Sequence, residues 1–179
     1  MKTNIPDDVI SNVQKAYNDL LINNEEGTAL TLLSITPEFT VIAFRKAKDK
    51  PENIWLLDIG SEKTSKEFFS RFPPTTAEVE NAIQVVEDEI ITLSKVLPAD
   101  SSLYTMDNGI RNILQQTSSK ETGLLLRSDM ELVFYRLASI ISGRPASLDT
   151  LPPDIIFAAT LLILREVMFH LKFPEIKIV

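Results

Sequence analysis

An α+β fold, with helices packed on a small antiparallel sheet, is what this sequence predicts, and three observations carry the prediction. The segment Pro153–Leu171, PDIIFAATLLILREVMFHL, is apolar on every side from Ile155 to Leu164 except at Thr160. A helix without a polar residue every third or fourth position has no solvent face, so the rest of the chain must enclose it. Between about residues 28 and 60, runs rich in β-branched and aromatic residues follow one another through short polar breaks, as in a meander. In Thr75–Leu97, the apolar residues Val79, Ile83, Val86, Ile90, Leu93 and Leu97 step by 4, 3, 4, 3 and 4 positions, the pattern of an amphipathic helix. The expectation is a small three-stranded antiparallel meander (about 28–60) flanked by helices, then a mainly helical C-terminal half around a buried helix 153–171. One α+β domain over 1–179 suits the length, divisible into a helix plus meander (1–72) and a helical part (73–179).

Taken in order, Pro6–Asn23 reads as an amphipathic helix, with Val9, Val13, Ala16, Tyr17, Leu20 and Leu21 on one face, ended by Asn23, Asn24 and Gly27. The strands are Thr28–Ile35, Phe39–Phe44 and Ile54–Ile59, broken at Thr36-Pro37-Glu38 and by Arg45–Asn53. That second loop holds Arg45, Lys46, Lys48 and Lys50 and reads as a solvated hairpin tip. Ser61–Arg71 is a short helix with Thr64 and Glu67 at capping-box spacing, closed by Phe72-Pro73-Pro74. Thr75 and Glu78 form a second capping box, and Ser128 and Glu131 a third before a core helix that Gly143 stops. Asp107-Asn108-Gly109 signals a hairpin, yet Leu103, Met106, Ile110, Ile113 and Leu114 keep helical spacing across it, which favours a helix beginning near Asp107. Ser118–Gly123 is a polar loop, and Phe173–Val179 alternates like a short strand able to pair with an edge of the meander.

Composition removes several classes of function. The chain has no cysteine, which excludes disulfides, thiol nucleophiles and thiolate metal sites. A net charge of −7 disfavours a nucleic-acid backbone as partner. Ten helical residues cover about 15 Å of a hydrocarbon core of about 30 Å, so the apolar run is too short to span a membrane. The N-terminus MKTNIPDDVI has no signal pattern, so a cytoplasmic location is expected. No GxSxG, Walker or GxGxxG pattern occurs, and the serine-rich segments lack a base.

His170, the single histidine, stands four residues after Glu166, the spacing that lets an imidazole and a carboxylate share a metal, and Glu87 or Asp88 of the other long helix could supply a third ligand. A lone histidine near the end of an apolar helix more commonly packs there or answers the helix dipole. Glu80 and Glu87 could act as general acid and base, although paired acids on a wet helix face are common. No catalytic residue and no cofactor is assigned on these grounds. The expected role is non-enzymatic: self-association as a homodimer, or binding of a protein partner, through surplus apolar faces on 75–97 and 153–171. The alternative is a small-molecule or metal binder, or a hydrolase, using the acids of helix 75–97 with His170.

Overall fold

A computed structural model of the chain describes residues 5–21, 29–46, 51–97 and 101–179. Six helices are labelled α1 (Asp7–Leu21), α2 (Ser61–Phe68), α3 (Thr76–Ile91), α4 (Asn108–Leu114), α5 (Arg127–Ile141) and α6 (Ile155–His170). Six strands are β1 (Leu30–Ile35), β2 (Thr40–Arg45), β3 (Asn53–Leu57), β4 (Ser102–Thr105), β5 (Leu124–Leu126) and β6 (Glu175–Ile178).

All six strands belong to one mixed sheet in the order β3-β2-β1-β4-β6-β5. The meander exists, with β1 antiparallel to β2 (Ile35 opposite Thr40) and β2 antiparallel to β3 (Thr40 opposite Leu57). It is not a sheet by itself, and the expected small three-stranded sheet is corrected on this point. The free edge of β1 takes β4 in parallel, β4 takes β6 in parallel, and β5 closes the row antiparallel to β6. The tail strand therefore sits between β4 and β5 and not on the meander, because β4 already occupies the edge of β1. Parallel neighbours require long crossovers, and α2 with α3 supplies one, α4 to α6 the other.

Side chains alternate across the strands and build two apolar layers. Leu33, Ile35, Ile42, Leu57 and Leu103 join the larger cluster with α2 to α6, whereas Leu30, Leu32, Val41, Ala43, Leu56 and Tyr104 join Val9, Val13, Tyr17 and Leu20 of α1 on the other face. This explains why β2 reads as apolar on both sides: all six of its residues are buried. Tyr17 anchors α1, since its hydroxyl donates to the carbonyls of Leu30 and Ala43, and burial pushes its pKa well above the ordinary range.

α6 is enclosed as its sequence requires. It packs against α2, α3, α4 and α5 and shares one cluster with the sheet, and Ala159, Leu161, Ile163, Leu164, Val167 and Met168 are fully covered. Asp154 caps it by accepting from the Ile156 N–H at 2.9 Å, and Thr160 turns its hydroxyl back to the Ile156 carbonyl, which lets a polar residue lie in an apolar helix.

Local signals succeed where the chain is free to obey them. The Thr75–Glu78 capping box is present in both directions, and the Thr75 and Ser70 N–H groups hold the Glu78 carboxyl down to about 2. The other two boxes are absent. α2 begins at Gly60, which leaves Thr64 buried inside the helix, and α5 begins after Leu126 at the end of β5, so Glu131 is free to reach Arg165. α3 ends at Ile91 and gives way to a 3-10 turn, Leu93–Lys95, short of the expected Leu97. Gly143, at φ 106°, closes α5 as read. Arg45 is corrected from loop to strand: it ends β2 and is buried, with its Nε unpartnered among the described residues. Asn23, Asn24, Gly27, Lys48 and Lys50 lie outside the described residues.

Ile163→Asp places an unpaired carboxylate where no water reaches, at a cost of several kcal/mol against a total stability of about 5–15 kcal/mol. Circular dichroism of this variant is expected to show no cooperative melting transition, and near-wild-type melting would mean that α6 is not the enclosed element.

Candidate functional site

The strand order places a topological switch between β1 and β4. From β1 the chain goes on through β2 and β3 to one side, and from β4 its crossover returns to β6 on the other. Open α/β sheets bind ligands outside the carboxyl ends of the strands at such a point. At this place the chain carries Ser34 in the last part of β1, Thr36 just after it, and Met106 and Asp107 after β4.

Asp107 ties the two strands together. One carboxylate oxygen accepts from the Gly109 N–H at 2.7 Å, capping α4, and the other accepts from the Ile35 N–H at 2.9 Å, across to β1. Burial raises its pKa above the ordinary aspartate value, against the opposing effect of these backbone donors. Gly109 is explained by packing: a Cβ there would stand 3.2 Å from the Thr160 methyl of α6. The Asp-Asn-Gly triplet is thus a helix start pressed against the central helix, and the hairpin reading of it does not hold.

A cavity of about 220 Å³ opens here between α1 and the sheet. Val9, Val13, Leu32, Val41, Phe39 and Met106 supply apolar wall, and Asp8, Asn12, Ser34, Thr36 and Asp107 supply polar groups. Among the described residues, no lysine or arginine lines it.

The β1–β2 turn beside this cavity is tied to the start of α2. Thr36 O accepts from the Ser61 N–H at 2.9 Å, and Pro37 O accepts from Glu62 N–H at 3.0 Å and Lys63 N–H at 2.9 Å. The first-turn donors of α2, which at a free helix start attract anions, are satisfied by the turn itself. The contact needs Gly60, because a Cβ at that position would overlap the backbone of Pro37, Glu38 and Phe39.

The residues singled out from sequence lie elsewhere, where α6 ends and leads into the amino end of β6. There the structure does bring His170, Glu166 and Glu87 together. His170 Nε2 stands 3.1 Å from a Glu166 oxygen and 3.7 Å from Glu87, so a single nitrogen faces both acids. The second Glu166 oxygen is 2.6 Å from Arg165, whose Nε bonds Glu131 and whose guanidinium lies 4.6 Å from the Phe134 ring centre. Glu166 is buried, and this arrangement satisfies it. Among the described residues no group of three histidine, cysteine, aspartate or glutamate side chains is arranged to hold a metal ion. Asp88 and Glu80 are exposed on α3. Sequence reasoning recognised Asp107 as a helix start but not as part of a site. The available signal was an aspartate cap directly after a β-branched and aromatic run, Ser102–Thr105.

No protein-family model matches the sequence, and no curated protein matches it. Solved structures do. The Aquifex aeolicus member of the Ppx/GppA family superposes with a TM-score of 0.74 at 18% identity, over 94% of this chain and 57% of that one. The type II variant of the Aquifex aeolicus Ppx/GppA phosphatase gives 0.69 at 18% identity, over 93% and 56%. An exopolyphosphatase from Cytophaga hutchinsonii gives 0.68 at 10% identity, over 94% and 59%. The chain therefore has the fold of these phosphatases and spans somewhat more than half of their length. The expectation of a non-enzymatic protein acting by association is overturned by this likeness; of the apolar faces that motivated it, α6 is mostly covered within the chain, while Val85, Ile91 and Val96 remain exposed. No helix among the described residues is long and apolar enough to cross a membrane.

Gly60→Ala should destabilise the chain by about 1–3 kcal/mol, the usual cost of overpacking against groups that cannot turn aside. Urea unfolding measures it, and an unchanged midpoint would show that the β1–β2 turn is not locked onto α2.

Proposed function

We propose that this chain carries the site of a phosphate-releasing hydrolase at the carboxyl ends of β1 and β4, with Asp107 as its general base. The observation that supports this reading is the position of Asp107. It is a desolvated carboxylate, fixed by two backbone donors, at the mouth of a cavity at the switch point of a sheet shared with Ppx/GppA phosphatases. In the proposed step a water oxygen attacks phosphorus, the bond from phosphorus to the leaving oxygen breaks, and Asp107 takes the water proton. A carboxylate whose pKa lies above the ordinary value is a better proton acceptor than an exposed one. The leaving oxygen picks up its proton from solvent. The Glu87–Glu166–His170 cluster, at the other end of the parallel strands, has no part in this step.

One feature favours a second reading, in which the site is a ligand pocket that does not hold a phosphoryl group in place for attack. The β1–β2 turn contains no glycine, and its carbonyls already fill the α2 donors, so a phosphoryl group would find few backbone N–H groups beside the cavity.

Orthophosphate release by the purified chain decides between them, with inorganic polyphosphate and simple phosphate monoesters as substrates and magnesium supplied. Hydrolysis of at least one of these substrates is expected, and Asp107→Asn should lower it by at least about 100-fold, the lower end for loss of a general base. The acid limb of the pH–rate profile should lie above the ordinary aspartate range, because only ionised Asp107 accepts the proton. Turnover that survives in Asp107→Asn would remove Asp107 from the reaction. Stabilisation by these ligands without release would establish the second reading in place of the first.

A further inference from the structure

We infer that the cavity beneath α1 takes an uncharged aromatic ring carrying a hydroxyl or similar hydrogen-bond donor, as the organic part of the substrate, and does not take a chain of phosphates. The inference rests on the hydrolase reading for its connection to phosphate, but the ring's binding is a property of the cavity alone. Three observations lead to it. The walls are largely apolar, among them Val9, Val13, Leu32, Phe39, Val41 and Met106. Among the described residues, the charged groups of the lining are Asp8 and Asp107, both acidic, with no lysine or arginine to answer a polyanion. The size, about 220 Å³, exceeds the roughly 150 Å³ of an apolar cavity that accepts benzene, so one substituted ring fits within it.

Asp107 gives the ring its orientation. Each of its oxygens already accepts one backbone N–H, and a carboxylate oxygen has a second lone pair to offer, so a hydroxyl or amine entering the cavity can donate to it. A ligand with its own carboxylate would meet like charge in a partly desolvated place and is disfavoured. For a phosphate monoester of such an alcohol, water and the ester give the free alcohol and orthophosphate. The esterified oxygen has no proton to donate, so it is the free alcohol product, after Asp107 has passed the water proton to solvent, that donates to this carboxylate.

Saturation-transfer NMR with phenol as the probe, on the full chain, tests this without reference to turnover. Phenol should give a clear signal with the wild type and bind at least fivefold more tightly than benzoate. Ala16→Leu narrows the cavity from α1 and Met106→Trp from the end of β4, and each should weaken phenol binding at least fivefold. Leu132→Ala, on the exposed side of α5, should leave it unchanged. The use of two walls keeps the test valid if one variant folds poorly. Absence of a phenol signal, equal binding of benzoate, or undiminished binding by both narrowed variants would overturn the inference. Those results would leave orthophosphate release untouched as the test of the hydrolase reading. Phenol binding without any phosphate release would sink that reading and keep the cavity's ligand chemistry.

Discussion

Enclosure of α6 is the constraint from which the rest of the structure follows. A helix apolar on all sides needs neighbours all round, and α2, α3, α4, α5 and the sheet each cover one part of it. That demand sets the layering, with five helices on one face of the sheet and α1 alone on the other. It also explains details at the two ends of the helix. Near its start, Thr160 lies close to α4, so that a Cβ at Gly109 would stand 3.2 Å from its methyl. Where the apolar run stops, Arg165 and Glu166 must be paired as soon as they are buried, and Glu131 and His170 complete the pairing.

The α1 face is built differently, and the candidate site depends on that difference. One amphipathic helix cannot cover six strands. It packs through Val9, Val13, Tyr17 and Leu20 and leaves a cavity beside β1 and β4, where Asp107 is held by donors from two elements. The same strand order that gives α6 its floor thus creates the switch point where a ligand can sit. The turn that would be expected to help hold it is instead locked to α2 through Gly60.

Much of the local structure was legible in the sequence. The all-apolar run of Ile155–Leu164, the Thr75–Glu78 capping box and the Gly143 stop each act through neighbouring residues, and each appears as read. The short strands β4 and β5 were not legible. They have four and three residues, and Leu103 is shared by a helical spacing that runs on into α4. β4 takes its strand character from β1 and β6, about seventy residues away on either side, and β5 takes its own from β6, about fifty residues on, and no local pattern records such pairings. Of the candidate sites, Glu87, Glu166 and His170 were brought together as the helical spacing implied, yet at the end of the sheet away from the cavity. Asp107 escaped notice because its significance lies in a contact with Ile35, and only the fold supplies that contact.

The account turns on the state of the Asp107 carboxylate, and proton chemical shifts of the Ile35 and Gly109 amides, followed against pH, report on it directly. Both N–H groups donate to that carboxylate, so both signals should move together with one midpoint, and burial should place it above about 3.9, the ordinary aspartate value. A midpoint at or below that value, or two amides that titrate independently, would contradict a desolvated, jointly anchored Asp107 and with it the site proposed at the ends of β1 and β4.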